Sequence, residues 1–240
     1  MSQSFRVPIL MYHKVERLNR RSTVQGHYVS PKLFRRQMAV LAAMGYTAIP
    51  LSSLYVPGAK MPRKPIVITF DDGYVNFLTN ALPILKTYRF VATVFLVANQ
   101  LGGTNAWDTM EGDVEEPLMD VGQILKAREA GIEFGSHTLD HADLQAVSAN
   151  EAWRQIAGSK QKLEEMLSIE IDAFCYPYGR KTPDVCDMVK RAGYRVACST
   201  EKGLNTETTN HFALRRINVR RDTSVPVFAM KLLRGPNHGR

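Results

Sequence analysis

The feature that most restricts this chain is its alternation, from end to end, of short apolar runs with segments of helical period. Val7–Tyr12, Thr47–Leu51, Ile66–Phe70, Val91–Val97, Ile132–Gly135, Ala173–Tyr176, Arg195–Ser199 and Leu214–Val219 read as strands. Val91–Val97 is apolar nearly throughout, as a parallel strand covered on both faces must be. Between these runs lie helices with recognisable starts. Ser30-Pro31 supplies an N-cap and a first-turn proline, followed by a stripe of Leu33, Phe34, Gln37, Met38 and Leu41. Ser148 and Glu151 have capping-box spacing for a helix to about Leu167, and Thr182-Pro183 opens another that Gly193 closes. Further helical stretches run from Gly73 to about Tyr88, over Leu118–Ala130 and over Val225–Leu233. Strand–helix alternation with right-handed crossovers predicts a parallel sheet, open or closed. With 240 residues and neither repeat nor linker, the whole chain reads as one domain.

The positions of the unusual polar residues favour closure into a barrel. His13 follows the first strand, Asp71-Asp72 follow Ile66–Phe70, His137 and His141 follow Ile132–Gly135, and Tyr176-Pro177-Tyr178-Gly179 follows Ala173–Cys175. All stand at the C-terminal end of a strand. In a barrel of parallel strands these ends converge on one rim, where active sites are assembled.

Each cluster has an ordinary reading as well as a chemical one. Adjacent aspartates after a strand also serve as a turn and helix cap. Their side chains point different ways, however, so two carboxylates here can do two jobs, one as ligand and one as base. His137 and His141, spaced i and i+4, face one centre if that stretch turns helically. Two imidazoles with a carboxylate suit Zn²⁺ with an open position for water. The aspartate and histidine pairs together therefore predict a divalent-metal site, with Zn²⁺ first and Co²⁺ or Ni²⁺ as other candidates.

These motifs resemble those of the polysaccharide deacetylase family, the NodB-homology group of carbohydrate esterases. Thr69-Phe70-Asp71-Asp72-Gly73 is similar to its first motif and Ser136-His137-Thr138-Leu139-Asp140-His141 to its second. Phe174-Cys175-Tyr176-Pro177-Tyr178-Gly179 resembles the third, without that motif's usual arginine, and Pro8–His13 resembles the start of a bacterial branch acting on poly-N-acetylglucosamine. The resemblance implies a distorted (β/α) barrel, with a core of about residues 7–219 and a basic C-terminal helix and tail over 220–240. It implies Asp72, His137 and His141 as metal ligands, Asp71 as catalytic base, and the Tyr178 N–H as an oxyanion donor. The family's usual C-terminal acid histidine has no match among the late histidines His211 and His238; in the branch that Pro8–His13 resembles, the N-terminal histidine fills that role, so the resemblance implies His13 as the acid. Arg216 is a candidate for orienting Asp71 in place of the missing arginine, or else a surface ion-pairing residue. The implied substrate is an N-acetylated carbohydrate, an N-acetylglucosamine polysaccharide or its precursor. Two alternatives stay open: a related hydrolase of another linear C–N bond (a deformylase or an imide or ureide amidase), and a non-catalytic carbohydrate-binding relative. The Asn99–Pro117 loop with Trp107 would shape the pocket that decides among them.

Composition adds exclusions. Three scattered cysteines, Cys175, Cys186 and Cys198, argue against a disulfide framework and suit a reducing compartment. Neither a leader nor a membrane-length apolar run is recognisable, so a cytoplasmic address is expected. The net charge of +8 concentrates in Arg17–Arg21 and from Arg215 onward. Without a nucleic-acid motif beside them, these residues predict solvated surface, with peripheral docking on anionic lipid as the other reading, and no nucleic-acid partner.

Overall fold

The computed structural model describes residues 6–234 apart from 57 and 59; the end of the expected basic tail, with His238, lies outside the described residues. In chain order the elements are β1 (Ile9–Tyr12), β2 (Lys14–Val15), β3 (Tyr28–Val29), α1 (Pro31–Ala43), β4 (Thr47–Ala48), β5 (Pro65–Phe70), α2 (Leu82–Thr87), β6 (Thr93–Leu96) and α3 (Ala106–Thr109). There follow α4 (Val121–Glu129), β7 (Glu133–Ser136), α5 (Ala149–Leu167), β8 (Ala173–Cys175), α6 (Pro183–Arg191), β9 (Val196–Lys202), β10 (Leu214–Asn218) and α7 (Val225–Arg234).

Seven parallel strands close a barrel in the order β1-β5-β6-β7-β8-β9-β10, with β10 returning to β1. The registers Ile9↔Val67 through Tyr12↔Phe70 and Leu10↔Ile217 seal the junction. β4 pairs only with Pro65 and Ile66 at the start of β5. The expected strand to Leu51 stops there because Pro50 has no N–H and the Leu51 N–H turns to Thr93 Oγ1 and the Glu133 carboxylate.

Side chains alternate along each strand, so residues two apart share a face. One set, including Ile9, Val67, Phe95, Ala173, Cys175, Val196, Cys198 and Leu214, forms a buried cluster of its own. The other, including Leu10, Tyr12, Ile66, Ile68, Phe70, Val94 and Leu96, packs with the helices. Continuing the first set by two residues leads from Val67 through Thr69 to Asp71, from Ile9 through Met11 to His13, and from Leu214 to Arg216. Period two thus carries the polar residues onto the face that lines the barrel, at its C-terminal rim.

The helices start where their caps put them. Ser30 Oγ accepts from the Leu33 N–H, and α1 buries Phe34, Gln37, Met38 and Leu41. Buried Gln37 accepts from the Tyr12 hydroxyl and donates to the Thr223 carbonyl, so no polar atom is abandoned. The helix expected from Leu118 begins instead at Val121, because Asp120 and Gln123 form a reciprocal capping box there. At α5 the opposite holds: Ser148 caps the Glu151 N–H, but the Glu151 carboxylate turns to Arg154, leaving half a box. The stretch after Gly73 contains a π-helical segment, Phe77–Ala81, before α2. Among the described residues no helix is long and apolar enough to cross a membrane.

Candidate metal and catalytic site

Asp72 stands just past β5 in the left-handed region, φ 74°, followed by Gly73 at φ 80°. This reversal turns the Asp72 carboxylate away from the direction taken by Asp71. The positive φ is what favours glycine at Gly73, and a side chain there would also press on Leu96 Cδ2 at 2.9 Å. His137 extends β7, its N–H bonded to the Leu96 carbonyl. The expected helical turn between His137 and His141 is not what joins them. Thr138 (φ 68°) and His141 (φ 60°) are both left-handed, and the turn is held by Gln155 Oε1, which accepts from the Leu139 and Asp140 N–H groups. Of the six non-glycine residues with positive φ among the described residues, Asp72, Thr138, His141 and Tyr178 stand in or beside one cleft. Each costs about 1–3 kcal/mol and persists only where surrounding contacts enforce it.

The result is a three-atom cradle. His137 Nε2 and His141 Nε2 each lie 3.5 Å from Asp72 Oδ1. Ligands about 2.0–2.1 Å from one tetrahedral ion are about 3.4 Å apart, which matches. His137 Nδ1 lies 2.7 Å from the Cys175 carbonyl, which can only accept, so that nitrogen carries the proton and Nε2 presents its lone pair. Asp72 Oδ1 is buried without a hydrogen-bond partner. Burial, Asp71 and Asp108 all raise the Asp72 pKa, an unfavourable setting that a divalent cation would reverse. Donor types, separations and orphaned oxygen therefore fit a divalent metal of the Zn²⁺ class.

Asp71 is treated differently. Its oxygens meet Arg216 Nη1 at 2.6 Å and Nη2 at 2.8 Å, a bidentate pair inside the barrel. Arg216 is fully buried, also donating to the Ser199 carbonyl and Thr69 Oγ1, which rules out the surface ion pair. Burial alone would raise the Asp71 pKa, but the guanidinium overrides it and holds the carboxyl below the usual range. His13 Nε2 is 3.8 Å from Asp71 Oδ2. His27, a residue without any sequence signal, stacks on His13 at 3.8 Å and 11°. Burial and then this second imidazole lower the His13 pKa well below its ordinary value. Burial and the Lys14 ammonium push His27 down to about 4.

Around these groups is a cleft of about 240 Å³ walled by Trp107, Asp108, Tyr176, Tyr178 and Asn218. Trp107 stacks on His141 at 4.5 Å, and the half-exposed Tyr178 ring meets the same imidazole edge-on at 4.8 Å. Tyr178 and Gly179 are again both left-handed, and Gly179 lies so close to Thr200 that no side chain fits. Of the late histidines, His211 packs on Tyr55, away from the residues lining the cleft.

A family model described as polysaccharide deacetylase matches residues 58–197. The chain is 30% identical over 217 residues to YxkH of Bacillus subtilis, a protein with a polysaccharide deacetylase name, covering 89% of this chain and 71% of the relative. It is 26% identical over 234 residues to the poly-β-1,6-N-acetyl-D-glucosamine N-deacetylase of Staphylococcus epidermidis, covering 89% and 78% respectively. Among solved structures, the Streptococcus pyogenes deacetylase PplD in complex with acetate superposes with a TM-score of 0.82 at 25% identity, over 96% of this chain and 99% of that one. A Bacillus cereus polysaccharide deacetylase gives 0.82 at 26% identity, over 97% and 70%.

Proposed function

Because the chain belongs to the polysaccharide deacetylase family, hydrolases of amide C–N bonds, we propose that it removes acetyl groups from N-acetylglucosamine residues of a polysaccharide or its oligomers. The observation that carries the reading is the cradle of Asp72, His137 and His141 beside an aspartate that Arg216 keeps ionised. A base has no place in a site that only binds sugar. The staphylococcal relative's substrate supports the choice of sugar.

Asp72, His137 and His141 would hold the metal, Zn²⁺ being the best match to the donor set. When bound, it supplies Lewis acidity and lowers the pKa of water from about 15.7 towards 7. Asp71 accepts the proton of the attacking water. Its pairing with Arg216 makes protonated Asp71 unfavourable, so the proton does not rest there. His13, neutral in the substrate-free site and 3.8 Å away, takes it next and delivers it to the departing amine. The backbone N–H of Tyr178 stabilises the oxyanion, set in place by its left-handed conformation. Products are acetate and an amino sugar.

The test is acetate release from β-1,6-N-acetylglucosamine oligomers by protein stripped with a chelator and reloaded with Zn²⁺, Co²⁺ or Ni²⁺. Release only after reloading is expected. Failure of every loaded form to release acetate from any N-acetylated saccharide would sink the reading.

A further inference from the structure

Lys14 adjoins the candidate acid His13, yet its side chain is fully buried and takes no part in the chemistry above. Successive strand residues point to opposite faces, so while His13 enters the cleft Lys14 leaves it, and its ammonium lies under the Asn99–Pro117 segment. Nζ sits 4.5 Å from the Tyr74 ring centroid and 4.8 Å from that of Tyr28. Two carboxylates of the acidic segment face it, Glu116 Oε1 at 3.4 Å and Asp113 Oδ2 at 3.8 Å. Among the described residues neither Nζ nor Asp113 Oδ2 makes a hydrogen bond, so charge and aromatic faces hold the ammonium.

The carboxylates belong to a segment that organises itself around one residue. The Asn105 side chain donates to the Val114 carbonyl and accepts from the Glu116 N–H at 2.7 Å, closing the stretch on itself. α3 within it carries Trp107, the indole over His141. The ties between this unit and the barrel gather around Lys14. Tyr74, just past Gly73, donates to Asp108; Tyr28 donates to Glu116; and the Thr23 N–H donates to Asp113 Oδ1 at 2.6 Å. Removing the ammonium would leave buried Asp113 and partly buried Glu116 without their counter-charge, an unfavourable state relieved by lifting the segment into water.

We propose that Lys14 is the positioning residue for Trp107: its buried charge docks the Asn105–Leu118 segment so that the indole forms the fixed wall of the cleft. The consequence for substrate rests on the deacetylase reading above, but the docking itself does not. A sugar ring entering the cleft meets an apolar face held at one height over the metal cradle, so Lys14 governs binding of saccharide and not the bond-breaking groups.

The chain has two tryptophans, Trp107 and Trp153. Trp153 lies on α5 among residues that do not line the cleft, so Trp153→Phe leaves Trp107 as sole reporter. In that background Lys14→Met should raise acrylamide quenching of Trp107 by about twofold, as a locally opened segment does, with metal content unchanged. KM for N-acetylglucosamine oligomers should rise about tenfold, while kcat and hydrolysis of a small aryl acetate change less than about threefold. Adding Asp113→Asn and Glu116→Gln to Lys14→Met should return quenching and KM towards the parent, because no uncompensated charge remains. If Lys14→Met does not fold, the pair Asp113→Asn and Glu116→Gln takes its place; it leaves the buried ammonium without its counter-charges and should shift both readouts in the same direction. Quenching unchanged, or quenching raised with KM unmoved, overturns the proposal, as does equal loss on oligomer and aryl acetate. The quenching comparison needs no substrate, so it decides the docking even if no saccharide proves to be deacetylated.

Discussion

Arg216 grips both carboxylate oxygens of Asp71 over the intervening strand β1, β10 reaching to the end of β5 with contacts of 2.6 and 2.8 Å. The pair determines the ionisation of the proposed base. Asp71's pKa is depressed on folding, so its contribution to stability is present above the unfolded aspartate value of about 3.9 and is lost as pH falls through the folded value. Arg216→Met leaves a buried carboxylate without its partner, at a cost of about 3–5 kcal/mol in thermal or denaturant unfolding. In whatever folded protein remains, burial dominates and Asp71 titrates higher. The Asp71 carboxyl, followed directly by carboxylate NMR or infrared titration because His13 sets the acid side of the rate profile, should titrate about 1–3 pH units higher. An unmoved carboxyl titration in the folded variant would show that Arg216 does not control the base.

Metal binding should depend on each member of the cradle. His137 offers Nε2 because its other nitrogen is tied to the Cys175 carbonyl, and His141 completes the 3.5 Å spacing to Asp72. His137→Ala and His141→Ala should each reduce bound Zn²⁺ by at least tenfold in elemental analysis after dialysis, with parallel loss of turnover. Full occupancy in the double variant would move the site elsewhere.

Much of this site was legible in the sequence, and the parts that were not share physical causes. Asp71 and His13 were legible at one rim because each directly follows a strand and the end of a parallel strand opens on that rim. The His137–His141 turn was misread because i and i+4 spacing suits a helix, whereas two left-handed residues and Gln155, remote in sequence, build the same convergence. His27 was invisible because stacking on His13 leaves no periodic trace and it sits in a three-residue helical turn. Arg216 was ambiguous because an arginine in an alternating strand reads equally as solvent-facing or as lining a barrel; only closure between β1 and β5 decides. The order of the long Asn99–Pro117 segment left little trace in the sequence, since single Asn105 side-chain bonds close it and its outer ties reach Lys14, Tyr28 and Tyr74, remote in sequence.

The adjacent aspartates should separate cleanly. Asp71→Asn keeps the size and one acceptor oxygen, and it touches no cradle atom. Bound metal should stay within about twofold of the parent while turnover falls about 10²–10⁴-fold, the usual range for loss of a general base. Asp72→Asn replaces the orphaned buried oxygen's charge and should lower metal affinity itself, read by competition with a chelating dye. Equal losses of metal in the two variants would erase the distinction between base and ligand.

The pH profile also tests how His13 gets its proton. Burial and the stacked His27 imidazole depress the His13 pKa, so at neutral pH the ring enters the cycle uncharged. If His13 had to be protonated beforehand, kcat/KM would fall as pH rises through that depressed value, and the enzyme would work poorly at neutrality. A His13 that receives its proton during the reaction predicts the reverse. The rate should rise as pH climbs through the depressed value, below 6.5, and then hold level through neutrality. His13→Ala should lower turnover of the amide about 10²–10⁴-fold without loss of metal. It should spare an aryl acetate, whose phenolate departs without a proton. His27→Phe keeps the aromatic stack but removes an imidazole that opposes a charge on His13, so the rise should move to higher pH. A profile falling across pH 5–7 in the parent, or equal loss of amide and ester turnover in His13→Ala, would leave His13 without a part in carrying the proton to the amine.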